Sequence, residues 1–146
     1  MGLLKELAES LRFGEEDDVR SATSAALAAG LPAGDVLRDG LLAGMAIVGE
    51  EFGRREIFLP DVLLAARAMQ AGMEVLRPHL AREGAPAAGR VVLGTVQGDL
   101  HDIGKNLVGI LLRGAGYEVI DLGTDVPAAR FLEAAESSGA RGIGLS

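Results

Sequence analysis

One histidine lies between two carboxylates in the segment Gly98-Asp99-Leu100-His101-Asp102-Ile103-Gly104. Neutral imidazole binds a metal through one nitrogen while the other carries the proton, and a nearby carboxylate can accept that N–H and raise the basicity of the ligand. Asp99 is suitably spaced for this role. Gly104 has no Cβ, so a bulky planar group could approach the backbone closely. The segment therefore predicts a metal ligand, His101, supported by Asp99.

The surrounding sequence places this segment between a strand and a helix. Val91–Val96 is an apolar run typical of a buried parallel strand, and helical spacing follows from Ile103. His101 is therefore expected at the carboxyl edge of a sheet, where open α/β sheets bind their ligands. A phosphate loop is disfavoured because Asp99 and Asp102 would repel phosphate and the glycine-lysine signature of such loops does not occur.

The pattern Asp99-x-His101-x-x-Gly104 resembles the signature of cobalamin-binding domains in which a protein histidine replaces the lower base of the cofactor. The resemblance implies that His101 is the axial cobalt ligand and that Asp99 relays a proton to it. It also implies cofactor contacts from the rest of the loop, namely Gly98, Leu100, Asp102, Ile103 and Gly104.

Ser146 occupies the serine position of a later Ser-x-Leu motif of that family. In the family this serine lines the channel for the displaced nucleotide base. The leucine and the Gly-Gly that complete the family pattern are not in this sequence. Lys105 and Asn106 could meet the tail of the cofactor or could equally face solvent in the first turn of the helix.

The second half of the chain has the element order of an α/β domain. Strands are expected at Val91–Val96, Tyr117–Leu122 and Arg141–Leu145, with a helix near Pro127–Ser138. With the resemblance, residues 90–146 are expected to form the first half of a Rossmann-like, flavodoxin-like parallel-sheet cobalamin domain. The sequence stops after the third strand, which raises the possibility of a fragment.

The first half is predicted to be a four-helix bundle over residues 1–83. Helical periodicity is seen near Leu3–Leu11, from Glu15 towards Gly30, through Leu41 and Phe52, and from Pro60 towards Gly84. The Gly-, Ala- and Pro-rich stretch 84–89 is expected to be a linker between two domains. The predicted fold class is thus α plus α/β.

The region from Phe52 to Leu63 is similar to the helical cap that precedes the cobalamin domain of methionine synthase. The resemblance implies that Phe52, Leu59 and Val62 lie over the upper, methyl-bearing face of the corrin, where apolar side chains exclude water. Ordinary core packing of the bundle is an equally good interpretation of each of these residues.

Composition excludes several classes of function. The chain has 146 residues and no cysteine, so disulfides, thiolate zinc sites and cysteine nucleophiles are excluded. A formal net charge of −7 and only 3% aromatic residues disfavour nucleic-acid binding. No apolar run approaches the roughly 20 residues of a membrane span, and the charged start differs from a signal peptide. A cytoplasmic protein without membrane or nucleic-acid partners is expected.

The whole pattern is similar to the corrinoid proteins of methyltransferase systems. The resemblance implies a non-catalytic methyl carrier, cycling between methylcobalamin and cob(I)alamin, rather than a complete enzyme. Its partners would be a substrate:corrinoid methyltransferase, a corrinoid:tetrahydrofolate or corrinoid:thiol methyltransferase, and a reductive activase. The alternatives are the cobalamin subunit of an adenosylcobalamin-dependent mutase and a cobalamin-dependent sensor domain.

Overall fold

The computed structural model describes residues 2–84 and 88–146. The chain divides into two compact units, Met1–Pro86 and Ala87–Ser146, which we call the helical unit and the sheet unit. The linker predicted at 84–89 falls partly on residues 85–87, outside the described residues. Over the described ranges, none of the helices combines the length and the apolar character that crossing a membrane requires.

The helical unit confirms the predicted bundle. Its elements are α1 (Gly2–Arg12), α2 (Glu16–Ala28), α3 (Ala33–Asp35), a π-helical segment (Val36–Leu42), α4 (Ala43–Gly53) and α5 (Leu59–Glu83). The segments from Ala33 to Gly53 follow one another without a break and correspond to the single third helix expected from the sequence. Three acidic residues in the first turn of α2 favour the positive end of its dipole. Gly84 ends α5 in the left-handed conformation, with φ of 66°.

The π-helical segment was not predicted, and α1 packs closely against it and against the start of α4. A Cβ on Gly40 would lie 2.6 Å from Leu7 Cδ2, and one on Gly44 would lie 2.8 Å from the Ala8 carbonyl oxygen. At Gly44 the close atom is backbone, so only glycine fits there, whereas at Gly40 the end of the Leu7 side chain would have to move. The close approach seals the centre of the bundle, whose large, fully buried apolar side chains are Leu7, Leu11, Val19, Val36, Leu41, Val48, Val62 and Leu76.

The sheet unit contains β1 (Arg90–Gly94), α6 (Ile103–Gly114), β2 (Glu118–Asp121), α7 (Ala128–Ser138) and β3 (Gly142–Leu145). The strands are parallel in the order β2-β1-β3, which confirms the predicted α/β topology. Each strand is shorter than the apolar run that predicted it. In the register, Val92 lies beside Ile120 of β2 and Ile143 of β3.

The two helices of the sheet unit cover β1 on opposite faces. Val92 packs with Phe131 and Ala134 of α7, in a small apolar core. Leu93 points the other way, towards α6. A Cβ on Gly109 of that helix would lie 3.4 Å from Leu93 Cδ2. Side chains alternate between the faces of a strand, so both faces of this central strand are used for packing. The loop after β1 is therefore held on a rigid base.

Candidate functional site

The candidate site is the β1–α6 loop, which carries His101 at the carboxyl edge of the sheet. The loop begins at Thr95, which is fully buried although it is polar. The Thr95 hydroxyl donates a hydrogen bond to the His101 carbonyl oxygen over 2.8 Å. The Thr95 amide donates to the Gly123 carbonyl, and its own carbonyl accepts from the Val126 amide, both over 2.9 Å. The backbone of His101 is thus tied to the end of β1, by a residue that was not predicted from the sequence.

The His101 side chain stands in solvent and is held by Asp99. Asp99 Oδ1 lies 2.6 Å from His101 Nδ1 and also accepts the His101 backbone N–H over 2.9 Å. A carboxylate can only accept, so the neutral imidazole carries its proton on Nδ1 and leaves Nε2 free as a ligand atom. The imidazole side chain is 96% exposed. The hydrogen bond from the His101 amide, followed by that from its ring, holds the pKa of Asp99 below its usual value.

The surface around His101 is open and apolar. Leu100 and Ile103 are 74% and 76% exposed, which is unusual for large apolar residues. At both Gly98 and Gly104, no described atom lies within 4 Å of the position that a Cβ would take. Four of the residues predicted as ligand contacts, Gly98, Leu100, Ile103 and Gly104, therefore present apolar side chains or bare backbone, whereas Asp102 presents an exposed carboxylate. This arrangement suits a large flat group more than a small hydrophilic one.

A second loop, 122–127, braces the site through Asp125. The Asp125 carboxylate accepts the Gly98 amide N–H over 2.8 Å, and the Asp125 amide donates to the Asp99 carbonyl over 3.0 Å. Asp125 has φ of 54°, in the left-handed region. This residue was not predicted from the sequence. The available signal was an aspartate, a residue type that tolerates this conformation, three residues after a predicted strand.

Lys105 does not face solvent, so that interpretation of its side chain was wrong, and a contact with the tail of the cofactor stays a prediction. The lysine is 4% exposed, and its ammonium donates to the two Asp121 carboxylate oxygens over 2.8 and 2.9 Å. It also donates to Asn106 Oδ1 over 2.9 Å. Burial raises the pKa of Asp121, but the hydrogen bonds from Lys105 and the Gly123 amide outweigh it, and the pKa stays below its usual value. The pair joins the first turn of α6 to the end of β2.

Ser146 and Asp102 are the two remaining predicted contacts of the cofactor in the sheet unit. The Ser146 amide donates to the Gly94 carbonyl, and the Ser146 carbonyl accepts the Val96 amide, both over 2.9 Å. This backbone pairing places Ser146 at the same carboxyl edge as His101. Asp102 is exposed at the start of α6, and its carbonyl accepts the Asn106 amide over 2.8 Å.

Two family profiles match this chain, and both are described as B12 binding domains. The first covers residues 3–77 and the second covers residues 89–146. The chain belongs to the B12-binding corrinoid proteins. Its cofactor is a corrinoid, as the resemblance of the loop segment implied.

Named relatives agree with this assignment. A corrinoid protein of Desulfitobacterium hafniense is 43% identical over all of this chain and 69% of its own length. Trimethylamine corrinoid protein 2 of Methanosarcina acetivorans is 42% identical, over 88% of this chain and 60% of its own length. Among solved structures, the methanol:cobalamin methyltransferase complex of Methanosarcina barkeri superposes with a TM-score of 0.88 at 39% identity, covering 99% of this chain and 55% of the matched chain. The chain thus spans 55 to 69% of the length of these proteins.

The residues at the loop fit a corrinoid. A corrin ring supplies the equatorial ligands of cobalt itself, so the protein needs to contribute a single axial donor, and His101 presents one free nitrogen. The exposed apolar side chains of Leu100 and Ile103 could pack against the face of such a ring, and the bare backbone at Gly104 would leave room beside it. The donor set and its surroundings therefore agree with the family assignment.

The three cap residues named by the resemblance differ in exposure within the helical unit. Leu59 is 37% exposed and Phe52 is half-buried, so both offer apolar surface. Val62 is fully buried. Ordinary core packing thus accounts for Val62, whereas a contact of Phe52 and Leu59 with the corrin stays a prediction.

Proposed function

We propose that His101 ligates the cobalt of the corrinoid from below through Nε2, with Asp99 as its hydrogen-bonding support. The observation that carries the proposal is the 2.6 Å contact between Asp99 Oδ1 and His101 Nδ1 on an imidazole that is 96% exposed. The carboxylate fixes the tautomer and the ring orientation, and the exposure leaves the other nitrogen accessible. Supporting carboxylates of this kind raise the basicity of a histidine ligand.

The same pair would control the protonation of the imidazole when His101 binds cobalt and when it is released. Ligation requires a neutral imidazole, so Nε2 must be free of a proton while it is bound. Nδ1 keeps its proton throughout, shared with Asp99 Oδ1. When the imidazole is released, Nε2 can take up a proton, and the adjacent carboxylate stabilises the resulting cation. Asp99 thereby couples ligation to proton uptake.

We further propose that the chain acts as a methyl carrier. When bound, the corrinoid supplies a cobalt centre that can accept and give up a methyl group. The chain contributes the axial imidazole, its orientation by Asp99 and a surface on which partners can exchange the group. Support comes from the names of its relatives, which include a trimethylamine corrinoid protein and a methanol:cobalamin methyltransferase complex.

The partners we propose are a substrate:corrinoid methyltransferase that loads the methyl group and a corrinoid:tetrahydrofolate or corrinoid:thiol methyltransferase that removes it. A reductive activase would return oxidised cofactor to the active state. The helical B12 binding domain over residues 3–77 and the methylamine names among the relatives favour this function over an adenosylcobalamin mutase subunit or a sensor. We place the reaction in the cytoplasm.

The absorbance spectrum of protein loaded with methylcobalamin tests the axial ligand. The wild-type spectrum should be that of a cofactor whose own base has been displaced by imidazole, and His101→Ala should lose this signature. His79 is the other histidine of the chain, so His79→Ala is a matched control and should give the wild-type spectrum. Identical spectra for wild type and His101→Ala would contradict the proposal.

Transfer of labelled methyl groups tests the carrier role. Loaded wild-type protein should pass a labelled methyl to a thiol or to tetrahydrofolate in the presence of a corrinoid-specific methyltransferase, and His79→Ala should do the same. His101→Ala, loaded to the same level, should transfer more slowly. A wild-type protein that retains its label with every methyltransferase of both acceptor classes would contradict this part of the proposal.

A further inference from the structure

The loop that carries His101 is clamped from outside by one residue, Asp125. Its side chain and its backbone make two hydrogen bonds in opposite directions to neighbouring residues of that loop. Asp125 Oδ1 accepts the Gly98 N–H over 2.8 Å, and the Asp125 N–H donates to the Asp99 carbonyl over 3.0 Å. The stretch 98–99 is therefore fixed at both a donor and an acceptor. Asp99 is the residue that orients the imidazole.

The clamp lies next to a regular connection between the two loops. Val96 and Val126 form a parallel bridge, and the Val126 amide donates to the Thr95 carbonyl over 2.9 Å. Beyond this bridge the β1–α6 loop has to turn away, and Gly98 does so with φ of 88°. Asp125 is the residue that holds the turned segment against the second loop.

The conformation of Asp125 indicates why this residue type stands there. Its φ of 54° is in the left-handed region, which costs free energy for most side chains and least for glycine, asparagine and aspartate. Aspartate and asparagine combine tolerance of this conformation with an acceptor oxygen on a short side chain. Glycine has the tolerance without the acceptor, and alanine has neither. The position therefore offers a series of variants that separates the two properties.

We propose that Asp125 is a positioning residue for the axial ligand: by clamping Gly98 and Asp99 it fixes the carboxylate that orients His101 towards cobalt. Asp125 acts through Asp99. The inference rests on the proposed ligation by His101. Loss of outer partners of a metal-bound histidine typically costs about 10- to 100-fold in metal affinity. Because Asp125 is one step further out, we expect about a 10-fold loss of corrinoid affinity when its acceptor is removed.

The experiment compares Asp125→Asn, Asp125→Gly and Asp125→Ala with Glu136→Ala, which removes another exposed carboxylate from the sheet unit. The first readout uses protein without cofactor, at one fixed pH: the NMR shifts of the His101 ring nitrogens and the hydrogen-exchange rates of the amides of residues 98–101. The second readout is the affinity for methylcobalamin together with the fraction of bound cofactor that carries the imidazole-ligated spectrum. Thermal unfolding of each variant checks that the sheet unit is folded.

Asp125→Asn should match wild type in both readouts, because the amide oxygen can still accept the Gly98 N–H. Asp125→Gly should show faster exchange in residues 98–101, altered His101 ring shifts and about 10-fold weaker binding. Asp125→Ala should be at least as impaired, and Glu136→Ala should match wild type. The inference is overturned if Asp125→Gly behaves as wild type, or if Asp125→Asn is as impaired as Asp125→Gly.

The two readouts separate this inference from the proposed function. If wild-type protein binds methylcobalamin without imidazole ligation, the proposed role of His101 fails. The cofactor-free NMR then still decides whether Asp125 orders residues 98–101, and unchanged exchange and ring shifts in Asp125→Gly would reject the clamp itself.

Discussion

Two side-chain pairs at the same edge of the sheet have similar contact distances, but their basic partners differ sharply in exposure. Lys105 and Asp121 meet at 2.8 Å, with the lysine side chain 3% exposed. His101 and Asp99 meet at 2.6 Å, with the imidazole 96% exposed. In the first pair, which we call the closed pair, Lys105 is buried and its donors are used within the protein, although the Asp121 side chain is 32% exposed. The second pair, which we call the open pair, leaves one ring nitrogen free. Of the two pairs, only this one can offer a nitrogen ligand to a metal.

The difference shows how the site divides its tasks. A buried charge needs its partner, because an unpaired ion in the interior is strongly unfavourable. The Lys105–Asp121 pair therefore fixes the start of α6 against the end of β2. An exposed pair contributes little to stability but can orient a group for binding. We expect substitutions in the closed pair to change folding first and substitutions in the open pair to change cofactor binding first.

Asp121→Ala should have the largest effect of any substitution in the two pairs. It leaves the Lys105 ammonium buried without its carboxylate, and breaking a buried pair in this way costs about 3 kcal/mol. Urea unfolding monitored by circular dichroism measures the loss in the free energy of unfolding. The double variant Lys105→Met with Asp121→Ala should recover much of it, because no buried charge remains. A loss below about 0.5 kcal/mol, typical of a surface substitution, would contradict the role of the pair.

Asp99→Ala tests the open pair. Corrinoid affinity should fall about 10- to 100-fold, as for other outer partners of a histidine ligand. The free energy of unfolding should change little, since the imidazole is 96% exposed and the Asp99 side chain is itself partly in solvent. Titration with methylcobalamin, followed by absorbance, measures the affinity. Asp102→Ala is the matched control, because it removes the other carboxylate beside His101, and it should have a smaller effect. Equal losses in the two variants would reject a specific role for Asp99.

Lys105→Met should destabilise less than Asp121→Ala. The carboxylate that remains is 32% exposed and still accepts the Gly123 amide over 2.8 Å, so water and the backbone compensate part of the loss. We expect about 1 to 2 kcal/mol, comparable to the loss of hydrogen bonds to a charged group. The same urea titration measures it. If Lys105→Met lowered the free energy of unfolding more than Asp121→Ala, an unpaired buried Lys105 would not be the main source of destabilisation.

Acidification provides the smallest and most graded test of the closed pair. Folding lowers the pKa of Asp121, so its ionised form stabilises the native state above the ordinary aspartate pKa of about 3.9. This contribution is lost as the pH falls through the lowered native value. The free energy of unfolding of wild type should therefore decrease more steeply below about pH 4 than that of Asp121→Asn. Parallel curves for the two proteins would contradict the direction of the shift.

The sequence predicted the elements well because both periodicities are strong. The apolar run before Gly94 and the helical spacing around Met45 and Leu76 determined the strand and the bundle, and the structure confirmed both. The π-helical segment was not predicted; it packs closely on Leu7 of α1 at Gly40, a contact in three dimensions between residues distant in sequence. Local pattern does not contain that contact.

The site was predictable only where its chemistry is local. Asp99 and His101 are two residues apart, so their contact follows from spacing alone. Lys105–Asp121 and Gly98–Asp125 join residues that are distant in sequence and meet because β1 and β2 are parallel neighbours. The order of strands along the sequence does not predict which individual side chains will lie next to each other in the sheet. The role of Thr95 was not predicted for the same reason, since its hydrogen-bond partners come from two different loops.

The central claim is that a nitrogen of His101 binds cobalt in place of the base of the cofactor itself. Electron paramagnetic resonance of the cob(II)alamin-loaded protein tests it directly, with protein prepared from 15N-labelled histidine and unlabelled cofactor. Ligation by His101 predicts that the nitrogen superhyperfine splitting changes from triplets to doublets on labelling, and that His101→Ala loses the change. Triplets that persist in the labelled wild-type protein would show that the axial nitrogen does not come from the protein and would contradict the account.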